Sequence, residues 1–224
     1  MDFSQIIILL PILLFSVIVH EFAHGWVALK CGDPTARDAG RLTFNPLPHL
    51  DLFGSIILPG VLLIMGMTPI AMAKPVPVNP YLLRRGEKDN VLVSIAGAAA
   101  NILLALVAFF LSLIVVLIFK KTGASVCISA LRFLNLIIFL NLILANFNLL
   151  PIPPLDGSHI LAYFLKGEAK ISYLKLRRYG FMILIGIFML GNLLPGRGGL
   201  FYLLLAPSFK LIGLFNTILF GLLR

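Results

Sequence analysis

An all-α integral membrane protein is the fold class that this sequence predicts, and three observations carry the prediction. Hydrophobic residues make up 60% of the 224 positions and charged ones only 12%, whereas a soluble domain carries about a quarter charged residues. Mean hydropathy is +1.04. The apolar residues also fall into runs, at about 4–29, 52–73, 91–119, 126–150, 179–194 and 200–223. All but 52–73 and the short 179–194 comfortably exceed the ~20 residues that cross ~30 Å of hydrocarbon. About five transmembrane helices are expected, with 52–73 as a re-entrant segment. No internal repeat or low-complexity linker divides the chain, so a single membrane-embedded domain over 1–224 is expected. The formal charge of +9 is assigned to topology and anionic lipid, because basic residues beside apolar spans serve those ends. Nucleic acid is not expected as a partner. Cys31 and Cys127 lie far apart and outside any metal-ligand spacing, and read as small apolar residues.

The first run has no charge from Ile6 to Val19 and ends in His20-Glu21-Phe22-Ala23-His24. An ionisable group at membrane depth is costly and is usually paired, metal-bound or functional. On a helix, residues i and i+4 share a face, so His20 and His24 can reach one ion. Glu21 sits roughly 100° round the helix from His20, close enough to hold a water beside that ion. This is the arrangement of a metallopeptidase, placed inside a membrane span. No Lys or Arg precedes Lys30, so the basic n-region of a secretory signal is missing and the first span is expected to stay with the protein. Trp26, near the end of the span, reads as an interfacial anchor.

The following loop reads Gly40-Arg41-Leu42-Thr43-Phe44-Asn45-Pro46, in which Leu42 and Phe44 alternate with Arg41 and Thr43 as in a short strand. Val76 and Val78, separated by prolines, form a second piece of strand-like pattern. Edges of this kind can pair with an extended peptide, and a plain proline-tolerant connector fits them equally well. His49, beside Pro48, reads as a loop residue.

Segment 52–73 contains Gly54, Pro59, Gly60, Gly66 and Pro69, which argue against a straight span. Were it to cross, ten basic residues would lie on one side of the membrane and Lys30, Arg37, Arg41, Lys120, Lys121 and Arg197 on the other. If it enters and leaves on one face, Lys30, Arg37 and Arg41 join the ten, giving thirteen against three. The positive-inside rule favours the re-entrant arrangement, with the large loops in the cytoplasm. A re-entrant backbone must be buried in protein or line a wet cavity, the environment expected beside a site that admits water.

A catalytic zinc usually has three protein ligands and an open position. Asp156 is the carboxylate tied to a long apolar helix by a helix-disrupting stretch, Asn148-Leu149-Leu150-Pro151-Ile152-Pro153-Pro154-Leu155-Asp156-Gly157. By spacing alone it is as well suited to be the N-cap of a helix through Ile160 to Leu165 as to be a ligand. His20, His24 and Asp156 share a membrane face if an even number of crossings separates them. A re-entrant 52–73 satisfies that condition, in agreement with the charge count.

Taken together, His20-Glu21-Phe22-Ala23-His24-Gly25-Trp26, Gly40 to Pro46, Lys74-Pro75-Val76-Pro77-Val78-Asn79-Pro80, and Asn148-Leu149-Leu150-Pro151 with Leu155-Asp156-Gly157 resemble the site-2 protease family of intramembrane zinc metalloproteases, peptidase family M50. The loop motifs are similar to its compact branch without a PDZ domain. The resemblance covers roughly 6–165, within an expected catalytic core of about 4–165 followed by C-terminal helices at about 179–223. It implies one zinc ion held by His20, His24 and Asp156, Glu21 as the acid/base, and Asn148 at the position that helps to hold substrate or oxyanion. The family's middle helix usually carries Gly-Pro-x-x-Asn; here Gly97-Ala98-Ala99-Ala100-Asn101 lacks the proline but keeps Asn101, a further candidate for the oxyanion. The small residues 96–100 are expected mainly to let helices approach. Ser158-His159 replaces the family's frequent Gly-Arg, and His159 reads as a surface histidine or one supporting the ligands.

The implied activity is hydrolysis of a peptide bond in or near the transmembrane segment of a membrane-protein substrate. The expected location is multi-pass in the membrane, the cell membrane in a prokaryote, with the site facing the cytoplasm. A non-catalytic zinc scaffold is the alternative, but it would fill all four ligand positions and has no need of Glu21. A metal transporter needs a polar path to both faces, and acidic groups lie toward only one.

Overall fold

In a computed structural model, residues 3–51, 74–193 and 199–223 are described, and among them the regular elements are helical. Among the described residues, four helices are long and apolar enough to cross a membrane. These are α1 (Phe3–Lys30), α3 (Glu87–Thr122), α4 (Ser125–Asn148) and α9 (Ala206–Leu223). Their backbone bonds are satisfied within each segment, as hydrocarbon requires. The run at 179–194 forms α7 (Gly180–Leu193), whose 14 residues extend only about 21 Å at 1.5 Å per residue. The run at 200–223 is divided at Leu205 into α8 (Gly199–Leu204) and α9. Pro207 lies in the first turn of α9, where its missing N–H costs nothing. The expected re-entrant segment 52–73 lies outside the described residues.

The chain separates into two compact units, residues 1–97 and 98–224. In the first, α1 leads through the short α2 (Thr35–Asp38) and a 3₁₀ turn at Leu47–His49 to an irregular stretch at 74–79, a second 3₁₀ turn at Pro80–Leu82 and the start of α3. Ala28, Leu83 and Val93 form its buried apolar cluster, with Val27, Cys31 and Val78 packed around them. The strand pieces expected at 41–44 and 76–78 are not strands here. Residues 42–44 are bent, and the Thr43 hydroxyl accepts from the Asn45 amide at 3.1 Å, a local turn that competes with a ladder. Pro75 and Pro77 have no N–H to give to one. The two stretches are joined instead by a side chain: Arg41 Nη2 donates to the Lys74 carbonyl at 2.6 Å and to that of Pro75 at 3.3 Å.

In the second unit, Ala105, Ala108, Phe109 and Val116 of α3 pack with Ile138 and Leu142 of α4 and Leu219 of α9. Phe109 stacks on Phe215 with ring centroids 4.2 Å apart, and Ser208 Oγ donates to the Leu142 carbonyl at 2.8 Å. The small residues on α3 let the neighbouring backbones come close, the usual packing device in a membrane. After α4 the chain turns through 149–156 into α5 (Gly157–Phe164) and then α6 (Gly167–Lys175).

Candidate metal centre

His20 and His24 are both buried on α1, as their i, i+4 spacing predicts. His24 Nδ1 lies 2.7 Å from the Val93 carbonyl. A ring that donates from Nδ1 keeps its lone pair on Nε2, the tautomer a metal ligand needs. That Nε2 stands 2.9 Å from Nε2 of His20, so the two nitrogens that could act as ligands face one another. Two ligand nitrogens at 2.0–2.1 Å on a tetrahedral zinc stand roughly 3.3 Å apart, so the pair needs only a small opening to hold one. Gly97 supplies the room. A Cβ there would fall 2.5 Å from His20 Cε1 and from His24 Nε2, so this glycine of the 96–100 stretch has a closer duty than general helix packing.

Glu21 is half-buried on the same helix. Its Oε2 accepts from the Val76 amide at 2.7 Å. The loop around it is fixed by directional bonds. Asp33, fully buried, accepts from the Thr35 amide at 3.0 Å and from the Asn79 amide at 2.6 Å. His49 is more than a loop residue: it is fully buried, its Nε2 lies 2.9 Å from the Thr43 carbonyl, and its own carbonyl accepts from the Lys74 amide at 2.9 Å. Phe44 stacks on Phe22 of α1, centroids 4.3 Å apart. Trp26 is exposed with the Lys30 ammonium 5.5 Å from its ring, consistent with an interfacial position. Burial first, then neighbouring Asp89, pushes the Cys31 thiol up.

In the second unit, Asp156 stands at the N-cap position of α5, yet its side chain makes no capping bond. The cap reading, open on spacing, is therefore not the role it plays. Gly157 follows it because a Cβ there would run into the Leu149 and Leu150 carbonyls, so the turn after α4 folds back tightly and holds Asp156 at one place on it.

The family model for peptidase family M50 matches residues 8–121 and 113–191. The chain belongs to peptidase family M50. Among its relatives is "Putative zinc metalloprotease YwhC" of Bacillus subtilis, 38% identical over 185 residues, which cover 81% of each chain. Another is the protein of the same description called Rip2 in Mycolicibacterium smegmatis, 31% identical over 172 residues, covering 77% of this chain and 62% of that one. A third is MJ0611 of Methanocaldococcus jannaschii, also described as a zinc metalloprotease of that standing, 34% identical over 146 residues, covering 65% of this chain and 64% of the relative. The chain thus spans most of YwhC and less than two thirds of the other two. No solved structure matches it. Family membership makes the chain a hydrolase of the metalloprotease class.

Within this M50 chain, the structure brings His20, His24 and Glu21 together in the first unit, whereas Asp156, Asn148 and Asn101 belong to the second. Asn148 Nδ2 donates to the Leu144 carbonyl of its own helix at 3.0 Å. Asn101 is fully buried and its Nδ2 donates at 2.8 Å to Oδ1 of Asn141, also fully buried. Asn141 escaped the sequence reading; it is one of four asparagines in the apolar 126–150 run, with Asn135, Asn146 and Asn148, and no local pattern sets it apart from them. His159 lies against Arg177, whose Nη2 is 2.8 Å from Nδ1 and 2.9 Å from Nε2. A guanidinium so close disfavours a second cation there, in line with a supporting or surface role.

Proposed function

We infer that this M50 protein is an intramembrane zinc metalloprotease, cleaving a peptide bond in or near the transmembrane segment of a membrane-protein substrate. The observation that carries the reading is the facing Nε2 pair of His20 and His24 on an apolar helix, with the Glu21 carboxylate one residue away. Zinc is the cofactor that the donor chemistry and the family both fit. His20, His24 and Asp156 each offer one ligand atom, two imidazole nitrogens and a carboxylate oxygen, which leaves a fourth position for water or substrate. When bound, zinc supplies a lowered pKa for water, toward about 7, and polarisation of the scissile carbonyl.

The remaining work falls to the chain itself. His24, held by the Val93 carbonyl, keeps its lone pair on Nε2. Glu21 takes a proton from the attacking water and passes it to the leaving amine nitrogen. Asn148, with Asn101, is assigned to the oxyanion; for this Asn148 must turn its amide away from the Leu144 carbonyl. A helical substrate must unwind locally, since its carbonyls are otherwise occupied, and the stretches at 41–44 and 76–78 are where the unwound piece would lie. The whole of 1–224 is read as one catalytic domain, multi-pass in the membrane and in the cell membrane if the source is prokaryotic, with the site opening to the cytoplasm.

The test uses purified protein in detergent with a model transmembrane substrate. Glu21→Ala, compared with native protein at matched zinc content, is expected to lower cleavage by at least a thousandfold. Equal cleavage by the two would remove Glu21 from the reaction.

A further inference from the structure

We propose that the backbone amide of Val76 is the positioning group for the Glu21 carboxylate, and that residues 74–79 form a fixed strap whose task is to present it. The proposal rests on the reading of Glu21 as acid/base. It begins with composition: of Pro75, Val76 and Pro77, only Val76 has an amide hydrogen, because proline has none. The strap therefore offers one donor in this stretch, and that donor meets Glu21 Oε2 at 2.7 Å. A carboxylate with one oxygen held by a backbone N–H cannot rotate freely about its last torsion. Holding a base in its working geometry is a recognised source of rate.

Three further contacts keep the strap from moving. The Lys74 amide donates to the His49 carbonyl at 2.9 Å. Arg41 Nη2 donates to the Lys74 carbonyl at 2.6 Å. The Asn79 amide donates to buried Asp33 at 2.6 Å. Val76 itself is buried. Its close approach to α1 is allowed by Gly25, where a Cβ would fall 2.9 Å from Val76 Cγ1 and 2.9 Å from Leu42 Cδ2. Glu21 and Gly25 are four residues apart and share one helix face, so the residue that makes room for the strap lies directly below the residue that the strap holds.

The experiment removes the amide hydrogen and leaves the side chain: the α-hydroxy analogue of valine is incorporated at position 76, replacing N–H by an ester oxygen. Val76→Pro is the genetic counterpart and Val76→Ala the variant that keeps the donor. With zinc content matched, the ester and Val76→Pro are expected to lower kcat by 10- to 100-fold with KM unchanged, and to fall at least tenfold below Val76→Ala. On a Glu21→Asp background, whose shorter carboxylate does not reach the strap, the ester should add less than a twofold loss, since groups that act through one another are not additive. In metal-free protein, the isotope-edited infrared band of the Glu21 carboxylate should move between native and ester forms. Full kcat in the ester, with Glu21→Ala inactive, overturns the positioning role and leaves the acid/base reading standing. Full activity in both overturns the reading itself. A rise in kcat would mean that the strap restrains the enzyme, and a fall in zinc content or thermal stability that accounts for the lost rate would make the contact structural; either result overturns the proposal.

Discussion

The two compact units use their polar side chains differently. In residues 1–97 these groups tie together segments far apart in sequence: Glu21 to Val76, Asp33 to Asn79, Arg41 to Lys74, and His24 to Val93. In 98–224 many of them turn back onto their own helix, as Ser112 does to Ala108, Asn148 to Leu144 and Thr217 to Gly213. Helices in hydrocarbon already satisfy their backbone, and a hydroxyl or amide on them can do so locally. An irregular loop beside a membrane helix has no such economy, so its N–H and C=O groups must find side chains. The first unit thereby gains fixed directions, which a metal ligand and a base require. The second is held mainly by the packing of small and large apolar residues.

Three substitutions probe that contrast, beginning with the largest effect. Gly97→Val places a branched side chain where even a Cβ would be 2.5 Å from both histidines. It is expected to weaken zinc binding at least a hundredfold, read by competition with a chelator, and cleavage should fall with it. Unchanged zinc affinity would mean that the histidines do not need that space. Asp33→Ala takes away the acceptor of the Thr35 and Asn79 amides. Hydrogen bonds to a charged group contribute about 1.5–3 kcal/mol each, so a loss of about 3 kcal/mol is expected in equilibrium unfolding of the detergent-solubilised protein. A loss below 1 kcal/mol would place the loop's rigidity elsewhere.

The smallest effect on stability belongs to the second unit. Asn101→Leu strands Asn141 Oδ1, and interhelical polar pairs in membranes average about 0.6 kcal/mol and reach about 1.7. A stability loss of that size is expected, and Asn101→Leu combined with Asn141→Leu should recover part of it. The assignment of Asn101 to the oxyanion further requires kcat to fall about a hundredfold beside that small stability change; unchanged kcat would leave Asn101 only its pairing with Asn141.

Part of the geometry of the candidate site was legible in the residues. The i, i+4 spacing of His20 and His24 needs only helical periodicity to be read, and both are buried on one face of α1. The apolar runs at 4–29, 91–119 and 126–150 became long helices because run length against bilayer thickness is a nearly one-dimensional problem. The 179–194 run was harder, since 14 helical residues fall between a span and a buried core helix. The strand-like alternation at 41–44 and 76–78 misled, because alternation marks a possible pleat but does not supply a partner with free N–H groups.

The sequence by itself determined the class of protein and the family, both of which follow from residue types at short spacings and the lengths of apolar runs. Only the tertiary structure decided that Gly97 cradles the histidine pair, that Val76 meets Glu21, that His49 is buried, that Asn141 partners Asn101 and that Asp156 caps nothing. The first four join residues at separations of 6 to 77 positions, through a loop or between elements. Such contacts depend on how whole segments pack, and no local pattern of residues encodes that.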